Sequence, residues 1–325
     1  MNPFAQSRED RVGSLGETAL IRRISEWLGA ASPDPPAGIG DDCSAVHLPP
    51  NKSYLLTTTD PVIYQRHFDS QLEPEKVAIK LLNRNISDIA SMGGTPRHAT
   101  LSHALPYHLS IDWLKRFYIG LSHEACKCNI QVNGGDVTTT KDFLGAFMTL
   151  VGYGNERILE RKGASVGALI FVTGSLGGSR LKKHSNFEPR LPEGQWLATQ
   201  VGVSSCMDLS DGIGKDCAAI LLDHCNATID ASRIPVSEDA HALSRSSGRS
   251  PLDHAINDGE DYELLFTLEP DQDYDTFVDH WKTRFKTDIT QIGIISKRVA
   301  SYPSVVFSNL EENIEPTGYD PFRTP

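Results

Sequence analysis

Residues 81–94 read Leu-Leu-Asn-Arg-Asn-Ile-Ser-Asp-Ile-Ala-Ser-Met-Gly-Gly, and this stretch predicts the end of an amphipathic helix followed by a glycine turn. Asn85 and Asp88 stand four and seven positions after Leu81, so they share one helical face with apolar side chains. The preceding residues extend the pattern, and we predict a helix over Pro74–Met92. Asp88 then lies half-buried near the C-terminal end, where the helix dipole disfavours an anion.

A carboxylate in that environment needs a cation, and the sequence leaves two candidates for it. Arg84 stands one turn earlier and can form a salt bridge with Asp88. The other candidate is a bound metal ion, which the position of Asp88 favours over the salt bridge.

Five further segments carry aspartates beside glycine, serine or threonine on predicted turns. Like charges at about 4 Å repel by roughly 4 kcal/mol at an effective dielectric of about 20, so a cluster of them needs divalent cations. Oxygen ligands without thiols indicate Mg²⁺, which usually joins a few carboxylates to substrate phosphates. The pattern therefore indicates a metal-dependent enzyme of phosphorylated substrates. The segments are Gly38-Ile-Gly-Asp-Asp-Cys43, Thr57-Thr-Thr-Asp60, Asn133-Gly-Gly-Asp136, Met207-Asp-Leu-Ser-Asp-Gly212 and Asp258-Gly-Glu-Asp-Tyr-Glu263.

Each segment also has an ordinary structural explanation. Ser210 or Asp211 would suit the N-cap of a following helix, although Asp208, Ser210 and Asp211 together suit a phosphate and metal corner equally well. Asp41-Asp42 could form a polar turn, and Asp136 could cap a hairpin loop. The metal interpretation therefore depends on the number of these segments.

Length and composition indicate a globular chain with two domains. The 325 residues exceed most single domains, and 39% hydrophobic with 22% charged residues suits a sizeable core. A net charge of −11 argues against a nucleic-acid or anionic-membrane surface. No apolar run approaches about 18 residues, and the N-terminus has no signal-peptide core. The six cysteines form no CxxC pair and are expected to be reduced, so we predict a cytoplasmic location.

The common nucleotide-binding motifs are missing from the sequence. Gly214-Lys215 is followed by Asp216, which excludes a P-loop, and Cys217 stands where a Rossmann fingerprint needs its third glycine. Gly174-Ser-Leu-Gly-Gly-Ser179 follows a predicted strand and could cradle a phosphate, although such turns are common.

Two blocks of helices and strands predict a mixed α/β fold, with one domain over 1–154 and a second over 155–325. In the first block the helices are Leu20–Leu28, Pro74–Met92 and Ile111–Cys128, and the strands are Cys43–Leu48, Tyr54–Thr59, Ala99–Leu105, Ile130–Val132 and Phe143–Tyr153. In the second block the strands are Ala168–Thr173, Gly202–Met207, Ala227–Asp230, Tyr262–Leu268 and Ile289–Ile295, with helices near Gly212–His224 and Tyr274–Phe285. The serine-rich segment Ser244–Ser250 is typical of a mobile surface loop.

Taken in order, these segments resemble the thiamine-monophosphate kinases, which belong to the superfamily of aminoimidazole-ribonucleotide synthetase and selenophosphate synthetase. The resemblance covers most of the chain, and the ordered combination is specific although single motifs are not. It is carried by Leu15-Gly-Glu-Thr-Ala-Leu-Ile21, Gly38–Cys43, Thr58-Thr-Asp60, His67-Phe68, Asn85–Gly93, Gly134-Gly-Asp136, Arg161-Lys-Gly163, Val172-Thr-Gly174, Asp208–Gly212, Gly259–Glu263 and Gly318-Tyr-Asp320.

The resemblance implies an N-terminal α/β domain with a mixed sheet, which binds ATP and Mg²⁺ and pairs with its copy in a homodimer, and a C-terminal α+β domain. It implies ATP held without a P-loop, several Mg²⁺ ions, and thiamine monophosphate as the acceptor. The implied reaction is direct in-line phosphoryl transfer to give thiamine diphosphate. The net charge of −11 separately predicts no nucleic acid or membrane as partner.

The resemblance also implies roles for individual residues. The metal ligands would be Asp41, Thr58, Thr59, Asp60, Asp88, Asp136, Asp208 and Asp211, with Asp41, Asp88, Asp136 and Asp211 as the catalytic set. The ATP contacts would be Tyr118, Gly135, Asp136, Arg161 and Ser210. The acceptor contacts would be His67, Glu260 and Tyr319.

Two other functions stay open at this stage. A different ATP-dependent synthetase or kinase of the same superfamily would use another acceptor. A non-catalytic binding protein for thiamine phosphates would keep the site without the reaction.

Overall fold

A computed structural model of the chain describes residues 1–15, 17–33 and 54–319. These residues form two compact units, one within Met1–Ile89 and Gly94–Glu156 and the other within Ala90–Gly93 and Arg157–Pro325. The predicted strand Cys43–Leu48 lies outside the described residues. Within the described ranges, no helix has the length and apolar character needed to cross a membrane.

The first unit contains a four-stranded mixed sheet. Its helices are α1 (Glu17–Leu28), α2 (Pro74–Ser91) and α3 (Ile111–Lys127), and its strands are β1 (Tyr54–Ile63), β2 (Thr95–Pro106), β3 (Gln131–Thr140) and β4 (Gly145–Gly154). The strand order is β1-β4-β2-β3, and all neighbours are antiparallel except β2 and β3, which are parallel. The mixed sheet agrees with the prediction.

Local sequence sets the ends of the two long helices. The side chain of Ser110 caps α3 by accepting the backbone N–H of Trp113 at 3.3 Å. Helix α2 begins at Pro74, where the missing N–H has no intrahelical partner to lose, and it ends before Gly93, whose φ is +72°. The observed α2 and α3 each end one residue before the predicted end.

The two faces of this sheet differ in exposure. Side chains alternate along a strand, and one set, which includes Leu56, Leu101 and Met148, is buried. The opposite set includes Leu55, which is 58% exposed, and Phe147, which is 38% exposed. One face therefore belongs to the core, and the other carries exposed apolar side chains.

The segment Asn133-Gly-Gly-Asp136 differs from the prediction, because it lies inside β3 and Asp136 caps no hairpin loop. The sequence predicts only Ile130–Val132 as strand, whereas β3 continues to Thr140. A side chain at Gly135 would come within 1.9 Å of the Leu101 carbonyl oxygen. The glycine therefore permits close approach of β3 to β2.

The second unit contains a six-stranded mixed sheet and five described helices. The strands are β5 (Leu169–Thr173), β6 (Val203–Asp208), β7 (Cys225–Asp230), β8 (Leu264–Leu268), β9 (Ile289–Lys297) and β10 (Val305–Ser308). The helices are α4 (Leu191–Thr199), α5 (Ile213–Asp216), α6 (Glu238–Ser247), α7 (Pro251–Asn257) and α8 (Tyr274–Arg284). The strand order is β10-β7-β9-β5-β8-β6, and only β10 and β7 are parallel.

Both faces of the central strands β5 and β8 are buried. Ile170, Val172 and Leu265 belong to one apolar core, whereas Phe171 and Phe266 belong to another. The two phenylalanine rings stack with centroids 5.2 Å apart. Continuous apolar runs are typical of strands that are buried on both sides, which explains why the sequence predicts β5 and β8 well.

Two predictions for the second unit are wrong. The helix predicted over Gly212–His224 is the single turn α5, followed by a 3-10 turn at Cys217–Ile220. The segment Ser244–Ser250 is not a loop, because its first four residues end α6 and Ser250 caps α7 by accepting the backbone N–H of Asp253 at 3.2 Å. Serine is common both in loops and at N-caps, so composition alone did not separate the two.

Candidate active site

In the first unit, side chains from β1 and α2 meet on the buried side of the sheet. Thr58 Oγ1 donates to Asp88 Oδ2 at 2.5 Å, and Arg84 Nη2 lies 3.1 Å from Asp60 Oδ1. Thr58 and Asp60 are two positions apart on β1 and therefore point to the same face. The structure thus places Thr58, Asp60 and Asp88 in one group.

Asp88 has the environment that the sequence predicts. It is half-buried in the last turn of α2. Arg84, the alternative cation, forms an ion pair with Asp60 and also donates to the Pro61 carbonyl at 2.7 Å. Two carboxylates and one hydroxyl form the kind of oxygen-only ligand set that suits Mg²⁺ with substrate phosphates.

The side chain of Thr59 is separate from this group. It lies on the opposite face of β1, and its hydroxyl donates to the Met148 carbonyl at 2.9 Å. The structure therefore does not bring the Thr59 hydroxyl together with Asp88.

His67 lies in the turn that follows β1. Its Nδ1 accepts the backbone N–H of Ile63 at 3.0 Å, and its carbonyl accepts from Lys80 Nζ at 3.0 Å. With Nδ1 engaged as an acceptor, the neutral ring carries its proton on Nε2. His67 is thus held in an orientation in which Nε2–H is its donor.

Three residues that the resemblance assigns to ATP line one cavity of about 70 Å³ in the first unit. They are Tyr118 on α3 and Gly135 and Asp136 on β3. Burial raises the pKa of Tyr118 far above its usual range, and burial lowers the pKa of the adjacent His103 to about 3, so both rings are uncharged. The remaining lining is mostly apolar: Ile24, Leu28, Leu101, Val132, Gly134 and Val137.

The cavity and the Asp88 group lie toward opposite edges of the same sheet. In the strand register, Asp60 aligns with Met148, Met148 with Leu101, and Leu101 with Gly135. Three strand spacings of about 4.8 Å separate β1 from β3, or roughly 14 Å. Because Mg²⁺ binds oxygen at about 2.1 Å, one ion cannot contact both groups within the unit.

In the second unit, a buried carboxylate holds the segment Asp208–Asp211. Asp216 Oδ2 accepts the backbone N–H of Ser210 at 3.0 Å and that of Asp211 at 2.9 Å. Burial raises the pKa of Asp216 to about 7 although these two hydrogen bonds act against it. The N-cap alternative does not hold, because the residue before α5 is Gly212, which has no capping side chain.

Backbone hydrogen bonds join this segment to two residues assigned to the acceptor. The Glu260 N–H donates to the Ser210 carbonyl at 2.8 Å, and the Tyr319 N–H donates to the Asp211 carbonyl at 2.7 Å. Lys215 Nζ contacts both Asp211 Oδ2, at 2.5 Å, and the Tyr319 carbonyl, at 3.2 Å. Residues from distant parts of the sequence therefore lie together in the second unit.

The backbone around Glu260 is strained. Glu260 has φ +55° and Tyr262 has φ +51°, values that non-glycine residues rarely adopt and that cost on the order of 1–3 kcal/mol each. The hydrogen bonds from Glu260 to Ser210 and from Tyr262 to Leu209, at 2.8 and 2.9 Å, hold this conformation. Strain of this kind occurs preferentially at binding sites.

The glycine-rich turn Gly174–Ser179 is not arranged as a phosphate cradle. The Gly177 N–H donates to Asp261 Oδ1 at 2.8 Å, and the Gly178 N–H donates to Asp258 Oδ2 at 3.3 Å. The Gly174 and Leu176 N–H groups donate to backbone carbonyls. These amides bind groups of the protein itself, so the phosphate interpretation of this turn is not supported.

The remaining assigned residues are less informative. Arg161 is exposed in the segment before β5, and Asp41 lies outside the described residues. Among residues 1–15, 17–33 and 54–319, no group of three or more His, Cys, Asp and Glu side chains is arranged to hold a metal ion unaided. The oxygen groups around Asp88 suit Mg²⁺, which is usually bound by one or two carboxylates together with substrate phosphates. The carboxylate of Asp211 is paired with Lys215 in this structure.

The structure also contains a Ser–His–Asp chain that sequence reasoning missed. Ser247 Oγ lies 2.7 Å from His254 Nε2, and His254 Nδ1 lies 2.8 Å from Asp258 Oδ2. Asp258 also forms an ion pair with Arg249 at 2.7 Å, and Ser247 Oγ accepts the Arg249 N–H at 3.2 Å. The ion pair with Arg249 weakens the support that Asp258 gives to a basic His254, and we interpret these residues as a network that joins α6 to α7.

Comparisons with known proteins agree with this architecture. Residues 40–154 match the family described as AIR synthase related protein, N-terminal domain. Thiamine-monophosphate kinase of Rhodopirellula baltica is 32% identical over 295 residues, which cover 88% of this chain and 92% of that protein. Thiamine-monophosphate kinase of Aquifex aeolicus is 31% identical over 334 residues, which cover 96% of this chain and 100% of that protein. The solved structure of AaThiL complexed with AMPPCP and TMP matches with a TM-score of 0.72 and 28% identity, covering 96% of this chain and 99% of that one.

The first of these matches, together with the four-stranded mixed sheet, gives residues 40–154 the class of the AIR synthase related N-terminal domain. The identity to curated relatives over nearly the whole chain is more specific. The chain belongs to the thiamine-monophosphate kinase family.

Proposed function

We propose that this protein transfers the γ-phosphoryl group of ATP to thiamine monophosphate, giving thiamine diphosphate and ADP. The observation that carries the proposal is the match to AaThiL complexed with AMPPCP and TMP over 96% of the chain. AMPPCP is an ATP analogue, so that complex contains counterparts of both proposed substrates.

The cavity lined by Tyr118, Gly135 and Asp136 is the proposed site of the nucleotide base. Its largely apolar lining and the uncharged ring of Tyr118 suit a flat heteroaromatic ring, and Asp136 also lines the cavity. The absence of a Cβ at Gly135 keeps β3 close to β2 and preserves the cavity wall. Arg161 and Ser210 are the other proposed contacts of ATP.

The proposed ligands for several Mg²⁺ ions are Asp41, Thr58, Thr59, Asp60, Asp88, Asp136, Asp208 and Asp211. When bound, Mg²⁺ supplies positive charge that offsets the triphosphate and the incoming phosphate. Asp88 is held for this purpose by Thr58, and the segment carrying Asp208 and Asp211 is held by Asp216. For Thr59, the backbone carbonyl is the proposed ligand, because its hydroxyl is bonded to Met148.

The proposed chemistry is direct in-line transfer. An oxygen of the acceptor phosphate attacks the γ-phosphorus, the bond to the bridging oxygen breaks, and ADP leaves with the electron pair. A phosphomonoester has a second pKa of about 6, so the acceptor is already an anion at neutral pH and needs no catalytic base. Asp41, Asp88, Asp136 and Asp211 are the proposed catalytic residues, and their task is to position charge.

The proposed acceptor contacts are His67, Glu260 and Tyr319. Thiamine carries a flat pyrimidine and a cationic thiazolium, for which an aromatic ring and a carboxylate are suitable partners. The Nε2–H of His67 is a suitable donor to a phosphate oxygen.

We also propose a homodimer that pairs through the first unit, with residues 1–154 as the ATP-binding, Mg²⁺-binding and dimerisation domain and residues 155–325 as the α+β domain. The division of the compact units between Glu156 and Arg157 supports these bounds. The outer sheet face with Leu55 and Phe147 suits a second copy, since an exposed apolar sheet face is rare on monomers. We propose a cytoplasmic location, supported by the free thiols Cys126, Cys128, Cys206, Cys217 and Cys225.

The purified protein, incubated with ATP, Mg²⁺ and thiamine monophosphate, tests the proposal by chromatographic detection of thiamine diphosphate. Formation of the diphosphate supports the kinase. Binding of both ligands without product would instead indicate a non-catalytic binding protein. Turnover of ATP only with a different phosphorylated acceptor would indicate another enzyme of the superfamily.

A further inference from the structure

The side chain of Asn257 joins the end of α7 to the segment that carries Tyr319. Asn257 Oδ1 accepts the backbone N–H of Thr317 at 3.0 Å and that of Gly318 at 2.8 Å. Asn257 Nδ2 donates to the Glu315 carbonyl at 3.0 Å. We define the tail as residues 315–319. One side chain thus binds three backbone groups of the tail, those of Glu315, Thr317 and Gly318.

The same nitrogen fixes the orientation of the amide. Asn257 Nδ2 also donates to Asp253 Oδ1 at 2.8 Å, one turn earlier on α7. Asp253 is in turn bound by the guanidinium of Arg249 at 2.8 Å. Because Nδ2 must face a carboxylate and a carbonyl, Oδ1 is left facing the two amide N–H groups of the tail.

The backbone of the tail turns at Gly318. Gly318 adopts φ +63°, and a Cβ there would lie 2.5 Å from the side chain of Lys215 and 2.8 Å from the Asp211 carbonyl oxygen. The turn at Gly318 therefore brings the tail against the segment that carries Asp211. Tyr319, the next residue, donates its N–H to the Asp211 carbonyl at 2.7 Å.

Asn257 also precedes the strained segment of the acceptor site. Gly259 and Glu260, two and three residues later, have φ +71° and +55°. The side chain of Asn257 therefore binds the tail that carries Tyr319, and its backbone leads directly into the segment that carries Glu260.

We propose that Asn257 is a positioning residue for acceptor recognition, which sets the place of Tyr319 beside Asp211. This inference rests on the proposed function, because it assigns Tyr319 to the binding of thiamine monophosphate. Asn257 acts through the tail, so its removal weakens acceptor binding and leaves the nucleotide contacts in place.

A purely structural role for Asn257 makes a different prediction from a positioning role. Loss of structure alone lowers the amount of active protein and changes both substrates' KM values equally or not at all. Loss of positioning raises the KM for thiamine monophosphate selectively, and it does so only while Tyr319 is present.

The test is a double-mutant cycle with Asn257→Ala, Tyr319→Ala and the combined variant. Asn226→Ala is the matched control, because Asn226 in β7 likewise accepts a backbone N–H, from Val299 at 2.8 Å, and donates to a backbone carbonyl, that of Pro303 at 2.5 Å. We expect Asn257→Ala to raise the KM for thiamine monophosphate about 3- to 30-fold, the range expected for Tyr319→Ala, with the KM for ATP changed less than about twofold. The combined variant is expected to match Tyr319→Ala within about twofold, and Asn226→Ala is expected to keep the wild-type KM.

A second readout does not require activity. Hydrogen exchange in the unliganded protein, followed on peptides that cover residues 315–319, is expected to be faster in Asn257→Ala and unchanged in Asn226→Ala. Unchanged exchange in Asn257→Ala, or KM effects that multiply fully in the combined variant, would overturn the positioning role. If the wild-type protein formed no thiamine diphosphate, the proposed function would fail, and faster exchange would still establish that Asn257 holds the tail.

Discussion

The backbone N–H of Tyr319 lies 2.7 Å from the backbone carbonyl oxygen of Asp211, and this hydrogen bond joins the tail to the segment that follows β6. Asp211 is a proposed metal ligand and Tyr319 a proposed acceptor contact. The bond therefore joins the segment of a proposed acceptor contact to the segment of a proposed metal ligand. Lys215 reinforces the contact, since its Nζ binds the carboxylate of Asp211 and the carbonyl of Tyr319.

Replacing Asp88 tests the metal role of the first unit. Asp88→Asn retains an oxygen that accepts from Thr58 but loses the negative charge that Mg²⁺ needs, so we expect kcat to fall about 100-fold or more with little change in thermal stability. Asp142→Asn is the control, because Asp142 is an exposed carboxylate of the same unit. Full activity of Asp88→Asn, or of protein stripped of metal by a chelator, contradicts the metal role.

Direct transfer is tested by looking for a phosphorylated protein. With γ-labelled ATP and no acceptor, we expect no stable label on the protein, since the acceptor phosphate is itself the nucleophile. The Ser247–His254–Asp258 chain provides a specific alternative nucleophile to test, because Ser247 Oγ lies 2.7 Å from His254 Nε2. A stoichiometric label that disappears in Ser247→Ala would show that this chain is catalytic and that the in-line scheme is wrong.

Tyr319 is expected to govern acceptor binding more than turnover. A cation over a tyrosine ring gains about 0.5–2 kcal/mol, so Tyr319→Ala should raise the KM for thiamine monophosphate about 3- to 30-fold with a smaller change in kcat. Tyr319→Phe is the matched control, because it keeps the aromatic face. Steady-state kinetics with each substrate varied checks this, and an equal loss for ATP and acceptor means that Tyr319 is structural.

Dimerisation is expected to depend on the outer face of the first sheet. Phe147 is 38% exposed and stacks near Phe143, with ring centroids 6.5 Å apart. Burying a charge in a dimer interface costs free energy because the charge loses its hydration. Phe147→Glu should therefore convert a dimer into a monomer at micromolar concentration. Light scattering measures this, with Val201→Glu as the control at an exposed apolar residue of the second unit. A wild-type monomer contradicts the proposed assembly.

Asp261 is expected to make stability depend on pH. Its Oδ1 accepts the Gly177 N–H at 2.8 Å, its Oδ2 has no hydrogen-bond partner among the described residues, and burial raises its pKa to about 7. Its pKa in the unfolded chain is about 3.9, so the folded state holds the extra proton between these values and loses stability as pH rises from about 4 to about 7.

Comparison with Asp261→Asn isolates this effect. The amide cannot ionise, so the variant should gain in unfolding free energy relative to wild type as pH rises through that window, by at most about 1.4 kcal/mol per pH unit. Urea unfolding at several pH values measures the difference. A difference that does not change between pH 4 and pH 7 would contradict the buried proton.

The parts of the fold that follow a local pattern were predictable from sequence. Helical spacing gave α2 and the half-buried Asp88, and apolar runs gave β5 and β8. The family resemblance gave the residue sets, and the structure groups Thr58, Asp60 and Asp88 in one place and Ser210, Asp211, Glu260 and Tyr319 in another.

The parts that depend on distant contacts were not predictable. Asn257 and Gly318 are 61 residues apart, and no local pattern identifies their hydrogen bond. The two glycines before Asp136 resemble a turn in sequence, but they lie inside β3, and Gly135 permits close approach of β3 to β2. Likewise, Ser247 and Ser250 are typical of a loop by composition, but in the structure Ser247 ends α6 and Ser250 caps α7.

The most direct test of the proposed activity follows the label from γ-labelled ATP in a single turnover with thiamine monophosphate and Mg²⁺. We expect the label to appear in the terminal phosphate of thiamine diphosphate, with one ADP formed for each diphosphate and none retained on the protein. Label released as inorganic phosphate, or ATP left intact while thiamine monophosphate is bound, would contradict the assignment of this chain as an active thiamine-monophosphate kinase.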